Sequence, residues 1–495
     1  MLEDKDILKS LVDQILNFAA DPNMEKRKKM WADHQALQQT EKVPICVWYE
    51  FIPEPQWELM LGRGYLKCRS ALARDIEREL RKRLWAAKHV PDDHIVWSTV
   101  SIQATVLREV DWGVCFTMSG SDEQVDDPLE AKRFVPAFPD RIEPERLSFS
   151  DWRIDEEVTA RSVEEAKELT DDRLQIAVVY PDLGFSPFDH AVRMRGLEKL
   201  MLDVFDAPER VHELMDIITS AFEQHHRNRE QKGWLNVVPS SDGRYTQVGF
   251  RVHCAHIPSD YDPTKPLLRH EWAYISAQTS SGLGPEMFAE FVHPYNVRLA
   301  RYFSNQTVYY HGCEQLDHKL DVLSTLPNLR RFHVSPWSSV EAAREKFQGR
   351  VVLEAHAHPG RVFFSYSSLE MKEEVERLVR AAEGVPLDLN LSDIHSVNAA
   401  IGLFYLIFNW NIFMPAVFFL TSPRKYTIQV VLRDILTQHM LEDQLPFEQS
   451  AMMSQAGPQG IQAAITIVAM IPILMVYPFI QKYFTSGIMI GSIKG

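Results

Sequence analysis

The 495 residues predict an α/β protein: a (β/α)8 TIM barrel with insertions, followed by a two-helix transmembrane hairpin. Three observations predict it. Short apolar runs at residues 43–49, 174–180, 234–239, 272–278, 307–311, 330–334, 351–355 and 387–391 have the length and continuity of strands buried on both faces. Helical spacing fills most of the intervals, at 196–203, 208–229, 285–302, 317–323, 340–346 and 369–382, and supplies the crossovers of a parallel sheet. After residue 397 the chain changes character: residues 399–420 and 449–481 contain no charged side chain. About 20 apolar helical residues are enough to cross a bilayer core.

Taken in order, residues 5–40 read as helical, with Ile7, Leu8, Leu11, Ile15, Leu16 and Phe18 recurring at three and four until Asp21-Pro22 interrupts. The basic stretch Lys26-Arg27-Lys28-Lys29 belongs to a solvated face. Residues 43–49 form the first core strand and 56–90 a helical segment. The β-branched stretch 95–107 and its expected partner 112–117 read as a β insertion, and 121–150 as loop. Ser162 and Glu165 have the spacing of a capping box, so a helix is expected to start there. The regular β/α alternation follows.

Charge and cysteine usage narrow the function classes. The net charge is −15, and residues 398–495 carry five basic and four acidic side chains, so the acidic excess lies on the first part. Such a surface argues against nucleic acid or anionic lipid as its partner. Five scattered cysteines without a CxxC pair argue for a reducing compartment. The charged start Met1-Leu2-Glu3-Asp4-Lys5-Asp6 does not read as a signal peptide.

In a barrel of this kind, chemistry sits where strands end. The strand exits here offer Glu50, Asp182, Asp242, Gln278, His311 with Cys313 and Glu314, Trp337, Glu354 with His356 and His358, and Asp393. Each such group must be hydrated or paired, and a purely structural protein gains nothing from so many. Glu50, Asp182, Asp242, Glu314 and Asp393 are the acid/base candidates. Trp48, Gln278 and Trp337 are the candidate substrate contacts. His311 and Cys313, two apart on an extended segment, point the same way and suit zinc, and Glu354 and His356 align by the same period.

At His311-Gly312-Cys313-Glu314, Pro327-Asn328-Leu329-Arg330-Arg331, Val334-Ser335-Pro336-Trp337 and Leu389 to Val397 the chain resembles the uroporphyrinogen decarboxylase-like superfamily, which includes corrinoid-dependent methyltransferases. The resemblance extends back to about residue 43 and implies a (β/α)8 barrel. Decarboxylases of that superfamily carry an Arg-rich motif near the first strand, whereas this chain has Trp48-Tyr49-Glu50-Phe51, the wrong charge for substrate carboxylates. The methyltransferase branch implies zinc held by His-x-Cys and a later cysteine, and a corrinoid methyl donor carried by a partner protein. No cysteine follows Cys313, so the third ligand falls to Glu354, His356 or another group.

Residues 399–495 are similar to the end of a sugar-type ABC transporter permease, through Ile401-Gly402-Leu403-Phe404-Tyr405, Trp410-Asn411, Lys425 to Val430, and Tyr477-Pro478-Phe479-Ile480 onward. The resemblance implies spans near 399–420 and 461–480, the last two of such a permease. The expected organisation is a barrel at 1–397 and a membrane segment at 398–495. The barrel is then cytoplasmic, held to the inner (plasma) membrane by the hairpin, and acts as a methyltransferase on a small-molecule substrate. The competing expectation is a permease component of an ABC sugar transporter with the barrel as passenger.

Overall fold

A computed structural model describes residues 2–49, 52–119, 133–184, 186–236, 260, 262, 264–303, 307–358, 361–362 and 367–391. The chain starts with two helices, α1 (Leu2–Ala19) and α2 (Pro22–Gln35). Asp21 separates them by accepting from the Asn23 N–H, with Pro22 at the first helical position, where its missing donor costs nothing. Then come β1 (Ile45–Val47), α3 (Glu54–Leu61), α4 (Ala71–His89), β2 (Thr99–Gln103) and β3 (Val106–Arg108). They are followed by β4 (Thr117–Ser119), β5 (Arg133–Val135), β6 (Arg153–Ile154), α5 (Glu156–Leu169) and β7 (Gln175–Val179). Helices α6 (Pro187–Arg195), α7 (Leu197–Asp206) and α8 (Pro208–Lys232) lead to β8 (Ala273–Ser276). The strands β9 (Val308–His311), β10 (Leu329–Val334), β11 (Val352–His356) and β12 (Leu387–Leu391) complete the described chain, with helices between them.

The architecture is mixed α/β around parallel strands. Six form one sheet in the order β1-β12-β11-β10-β9-β8, and β2 pairs with β7 in a separate parallel ladder. No closed barrel is present among the described residues. The stretch 95–107 is therefore not a hairpin insertion, because Thr99 to Gln103 match Gln175 to Val179 in parallel register. Among the described residues, antiparallel pairing joins β3 with β6 and β4 with β5, with an isolated bridge between Asp111 and Ser150. The helix expected to begin at Ser162 starts six residues earlier, where Asp155 accepts from the Val158 N–H. Residues 234–236, the described part of the strand expected at 234–239, are neither helix nor strand, and 237–239 lie outside the described residues.

The sheet has two unlike faces. Ile275, Tyr310, Phe332, Val334, Leu353, Ala355 and Leu389 belong to the main apolar core, packed with helical residues such as Phe288, Leu299, Leu323 and Phe347. The other face is polar although equally buried. Register places Ser276 beside His311, His333 beside Glu354, and Glu354 beside Asp388. Tyr309 lies beside Tyr274 and Arg331, and Asn390 lies between His356 and Cys46. Period-two alternation makes this separation unavoidable once the register is fixed. Helix α2 reaches the polar face, where His34 Nε2 is 2.9 Å from Asp388 Oδ2. Its Arg27, expected on a solvated face, donates to the His94 carbonyl at 2.6 Å.

The expected spans at 399–420 and 461–480, and all of 398–495, lie outside the described residues. No described helix is long and apolar enough to cross a membrane.

Candidate metal centre

The end of β9 builds the site. Tyr309 and His311 share the polar face, and the turn through Gly312 brings Cys313 Sγ to 3.1 Å from His311 Nε2. Gly312 leaves needed room, since a Cβ there would lie 2.8 Å from Glu314 Oε2 and 3.1 Å from Leu316 Cδ1. The Tyr309 hydroxyl donates to Glu354 Oε1 at 2.7 Å and is 2.7 Å from His311 Nδ1. A hydroxyl has one proton, so its oxygen accepts from the Nδ1–H of His311. The Nε2 lone pair then faces Cys313, the tautomer that a metal ligand needs.

That chain of bonds depends on Glu354 staying ionised. Burial opposes the charge, but the Arg331 guanidinium and the bonds from His333 and His356 outweigh it and hold the carboxyl well below its ordinary range. Arg331 Nε is 2.6 Å from Glu354 Oε2, and Arg331 Nη2 is 2.6 Å from Asp388 Oδ1. Burial, and next the charge of Glu354, push the Tyr309 hydroxyl well above its usual value, so it remains a proton donor.

His333 is the third group. Its ligand atom lies within 4.8 Å of those of His311 and Cys313, and the two imidazoles have centroids 4.1 Å apart. Glu354 and His356 form a neighbouring group with His333, joined by a 2.6 Å contact between His356 Nε2 and Glu354 Oε1. The donors of His311, Cys313 and His333 fit a borderline-soft divalent ion. The His311–Cys313 contact is a few tenths of an ångström below the roughly 3.5 Å that a tetrahedral zinc ion imposes between nitrogen and sulfur ligands. Tyr309→Phe removes the acceptor that fixes the His311 tautomer. It is expected to weaken zinc affinity about 10–100-fold in a competition titration while leaving the far-ultraviolet circular dichroism unchanged.

The other expected site residues fall in different places. Gln278 Nε2 lies 3.6 Å from Cys313 Sγ, so it joins the site. Trp48 Nε1 donates to Asn390 Oδ1 at 2.7 Å, and its ring is 6.3 Å from that of His356. Trp337 is exposed and lies against His358, with centroids 5.7 Å apart. Glu314 is buried under Gly312, and desolvation, opposed by the charge of Lys319, raises its carboxyl to about 7. Asp182 belongs to a separate ionic cluster, with Oδ2 3.5 Å from Arg229 Nη1 and 3.8 Å from His225 Nε2. Arg229 in turn holds Glu271 at 2.6 Å. Glu50, Asp242 and Asp393 lie outside the described residues.

Sequence reasoning missed His333, Tyr309, Arg331 and Asp388 as parts of this centre. The signal for two of them was present: Arg331 and His333 are two apart within a buried strand, the period that singled out His311 and Cys313. Asp388 and Asn390 repeat it on β12.

Comparison with known proteins gives partial matches. A 99-residue stretch is 42% identical to the polygalacturonan/rhamnogalacturonan transport system permease protein YtcP of Bacillus subtilis (strain 168), covering 20% of this chain and 34% of that protein. A 134-residue stretch is 34% identical to Protein LplC of the same organism, covering 27% of this chain and 44% of that protein. The chain thus spans less than half the length of these curated relatives. Among solved structures, a methyltransferase from Methanosarcina mazei superposes with a TM-score of 0.44 at 12% identity, over 77% of this chain and 97% of that one. No family model matches.

Proposed function

We propose that residues 1–397 form a zinc-assisted methyltransferase acting on a small molecule, with His311, Cys313 and His333 as the metal ligands. The observation that carries this reading is the Glu354–Tyr309–His311 chain, which turns an unprotonated Nε2 toward Cys313. Bound zinc supplies a positive charge that lowers the pKa of a coordinated thiol or water. The chain's own residues prepare that position. Tyr309 fixes the imidazole, Arg331 keeps Glu354 anionic, and Gln278 offers an amide N–H beside the Cys313 sulfur. The methyl donor on this reading is a corrinoid on a partner protein, supported by the resemblance carried by residues 311–314 and 389–397.

On the same reading the two parallel ladders are parts of one (β/α)8 barrel. Asn236 supports it by spanning the gap: its Oδ1 accepts from the Tyr180 N–H after β7 at 3.0 Å, and its own N–H contacts Glu271 just before β8. Residues 398–495 form a two-span hairpin that holds a cytoplasmic barrel at the inner membrane, supported by the permease matches. Those matches also favour a second reading, a permease component of a sugar transporter with the barrel as passenger.

The test is zinc content and methyl transfer from a methylated corrinoid to small thiols, measured on the whole chain and on a chain ending at Val397. The proposal expects His311→Ala/Cys313→Ala to hold about one zinc ion fewer than the unaltered chain and to lose transfer. A zinc content unchanged by that double replacement would rule out the site. Sugar uptake with a partner ATPase by the whole chain, together with absence of transfer, would favour the second reading.

A further inference from the structure

We propose that Cys46, Asp92 and His94 form a second site for a soft divalent cation of the zinc type, distinct from the His311–Cys313 centre. One ligand atom from each of the three residues lies within 4.8 Å of the others. Cys46 Sγ is 3.5 Å from His94 Nδ1. A tetrahedral ion with a metal–sulfur bond of about 2.3 Å and a metal–nitrogen bond of about 2.0–2.1 Å holds its two ligands roughly 3.5 Å apart. The third donor, Asp92 Oδ2, already contacts the same Nδ1. A thiol, an imidazole and a carboxylate converging on one point are the donor set that such ions take up.

The surroundings are built as a rigid support. Cys46 is fully buried on β1, beside Asn390 of β12. The short loop carrying Asp92 and His94 is tied to β1 three times. Val47 N–H donates to Asp92 Oδ2 at 2.8 Å, Ile45 N–H to Asp93 Oδ2 at 3.0 Å, and Asp93 N–H to the Ile45 carbonyl at 2.9 Å. Helix α2 ties it from the other side through Arg27 to the His94 carbonyl and Trp31 to the Asp93 carbonyl, at 2.6 and 2.9 Å. A site whose ligands are fixed before binding loses little entropy on binding. The sheet order puts β1 four strands from β9, so one ion cannot serve both groups.

Binding forms the metal–sulfur, metal–nitrogen and metal–oxygen bonds and sends the thiol proton and the Nδ1 proton to solvent, so affinity rises with pH. The test is a Co2+ titration of the whole chain carrying Cys313→Ser. The site predicts thiolate-to-cobalt charge-transfer absorption that saturates at about one equivalent. Adding Cys46→Ser removes it, and His94→Gln, which leaves Cys46 in place and covers the case in which the serine variant fails to fold, weakens cobalt binding more than about tenfold. Absence of the band in Cys313→Ser would overturn the proposal and show a hydrogen-bonded packing triad only. A band that survives the double replacement would assign the thiolate to another cysteine and overturn it equally. Because the titration is made without Cys313, either failure leaves the proposed methyltransferase site untouched.

Discussion

Replacing Arg331 by Met is expected to lower the free energy of unfolding by about 3–5 kcal/mol. The loss comes less from the cation than from what it leaves behind. Glu354 and Asp388 are both fully buried, and each has a carboxylate oxygen 2.6 Å from the guanidinium. Without it, two buried anions must either stay charged in a low-dielectric face or take up protons. His34 and His356 contact those carboxylates and soften the effect, but neither presents a fixed charge in the fork geometry of a guanidinium. Urea denaturation of the purified variant measures the difference. Adding Glu354→Gln and Asp388→Asn is expected to recover much of it, because a buried ionic group often yields little over a neutral replacement when all its partners are replaced together. A loss under about 1 kcal/mol for the single variant would show that the network does not depend on the cation.

The second large effect is on acid stability. His190 is buried between Trp112 and Phe222, and His226 lies near Tyr302 and Phe303. Burial lowers the His190 imidazole to about 4 and the His226 imidazole to about 3. Both are neutral in the folded chain at pH values where an unfolded histidine, with a pKa near 6.5, already carries a proton. The unfolded state therefore binds more protons below pH ~6.5, and stability falls as pH drops. At about 1.4 kcal/mol per unit, the two side chains together remove roughly 5 kcal/mol between pH 6.5 and 4.5. His225 acts in the opposite sense: burial opposes its charge, yet the bonds to Asp151 and Asp182 raise its pKa. Its contribution is complete below pH ~6.5 and is lost as pH rises through the folded value. Urea midpoints across this range are expected to peak near neutrality, and His226→Leu is expected to reduce the acid slope by about half. An unchanged slope in His190→Leu/His226→Leu would place the acid sensitivity elsewhere.

Parts of this molecule are readable from residue order because the physics is local. The parallel sheet follows from apolar runs alternating with helical spacing, and the closeness of His311 and Cys313 in sequence brings them together, although the turn at Gly312 rather than strand period two makes the contact. What failed was long-range. β2 alternates like a half-exposed strand, and the sequence cannot say that its partner is β7, more than 70 residues on, rather than the next segment. His333 was passed over because Arg331-Phe332-His333 read as one more core strand, and the polar face it occupies exists only after register is fixed. Asp182 was expected among the catalytic acids because of its position after a strand. Its side chain faces His225 and Arg229, partners that helix α8 brings from over 40 residues away and that its position in the sequence does not reveal. Cys46 and His94 are 48 residues apart, and only the anchoring of the 91–94 loop on β1 joins them.

The contact between His34 and Asp388 joins residues 354 positions apart, the first helical pair to the last described strand. During synthesis, α2 is complete long before its carboxylate partner leaves the ribosome. Until then Glu354 has Arg331, but the guanidinium lacks its second anion and His34 lacks its carboxylate partner. Closing so long a loop is costly in entropy and comes late. The polar layer around His311 and His333 is thus expected to be completed late in folding, and a nascent chain stopped before residue 388 is expected to keep a charged, unfinished interior exposed to non-native pairing.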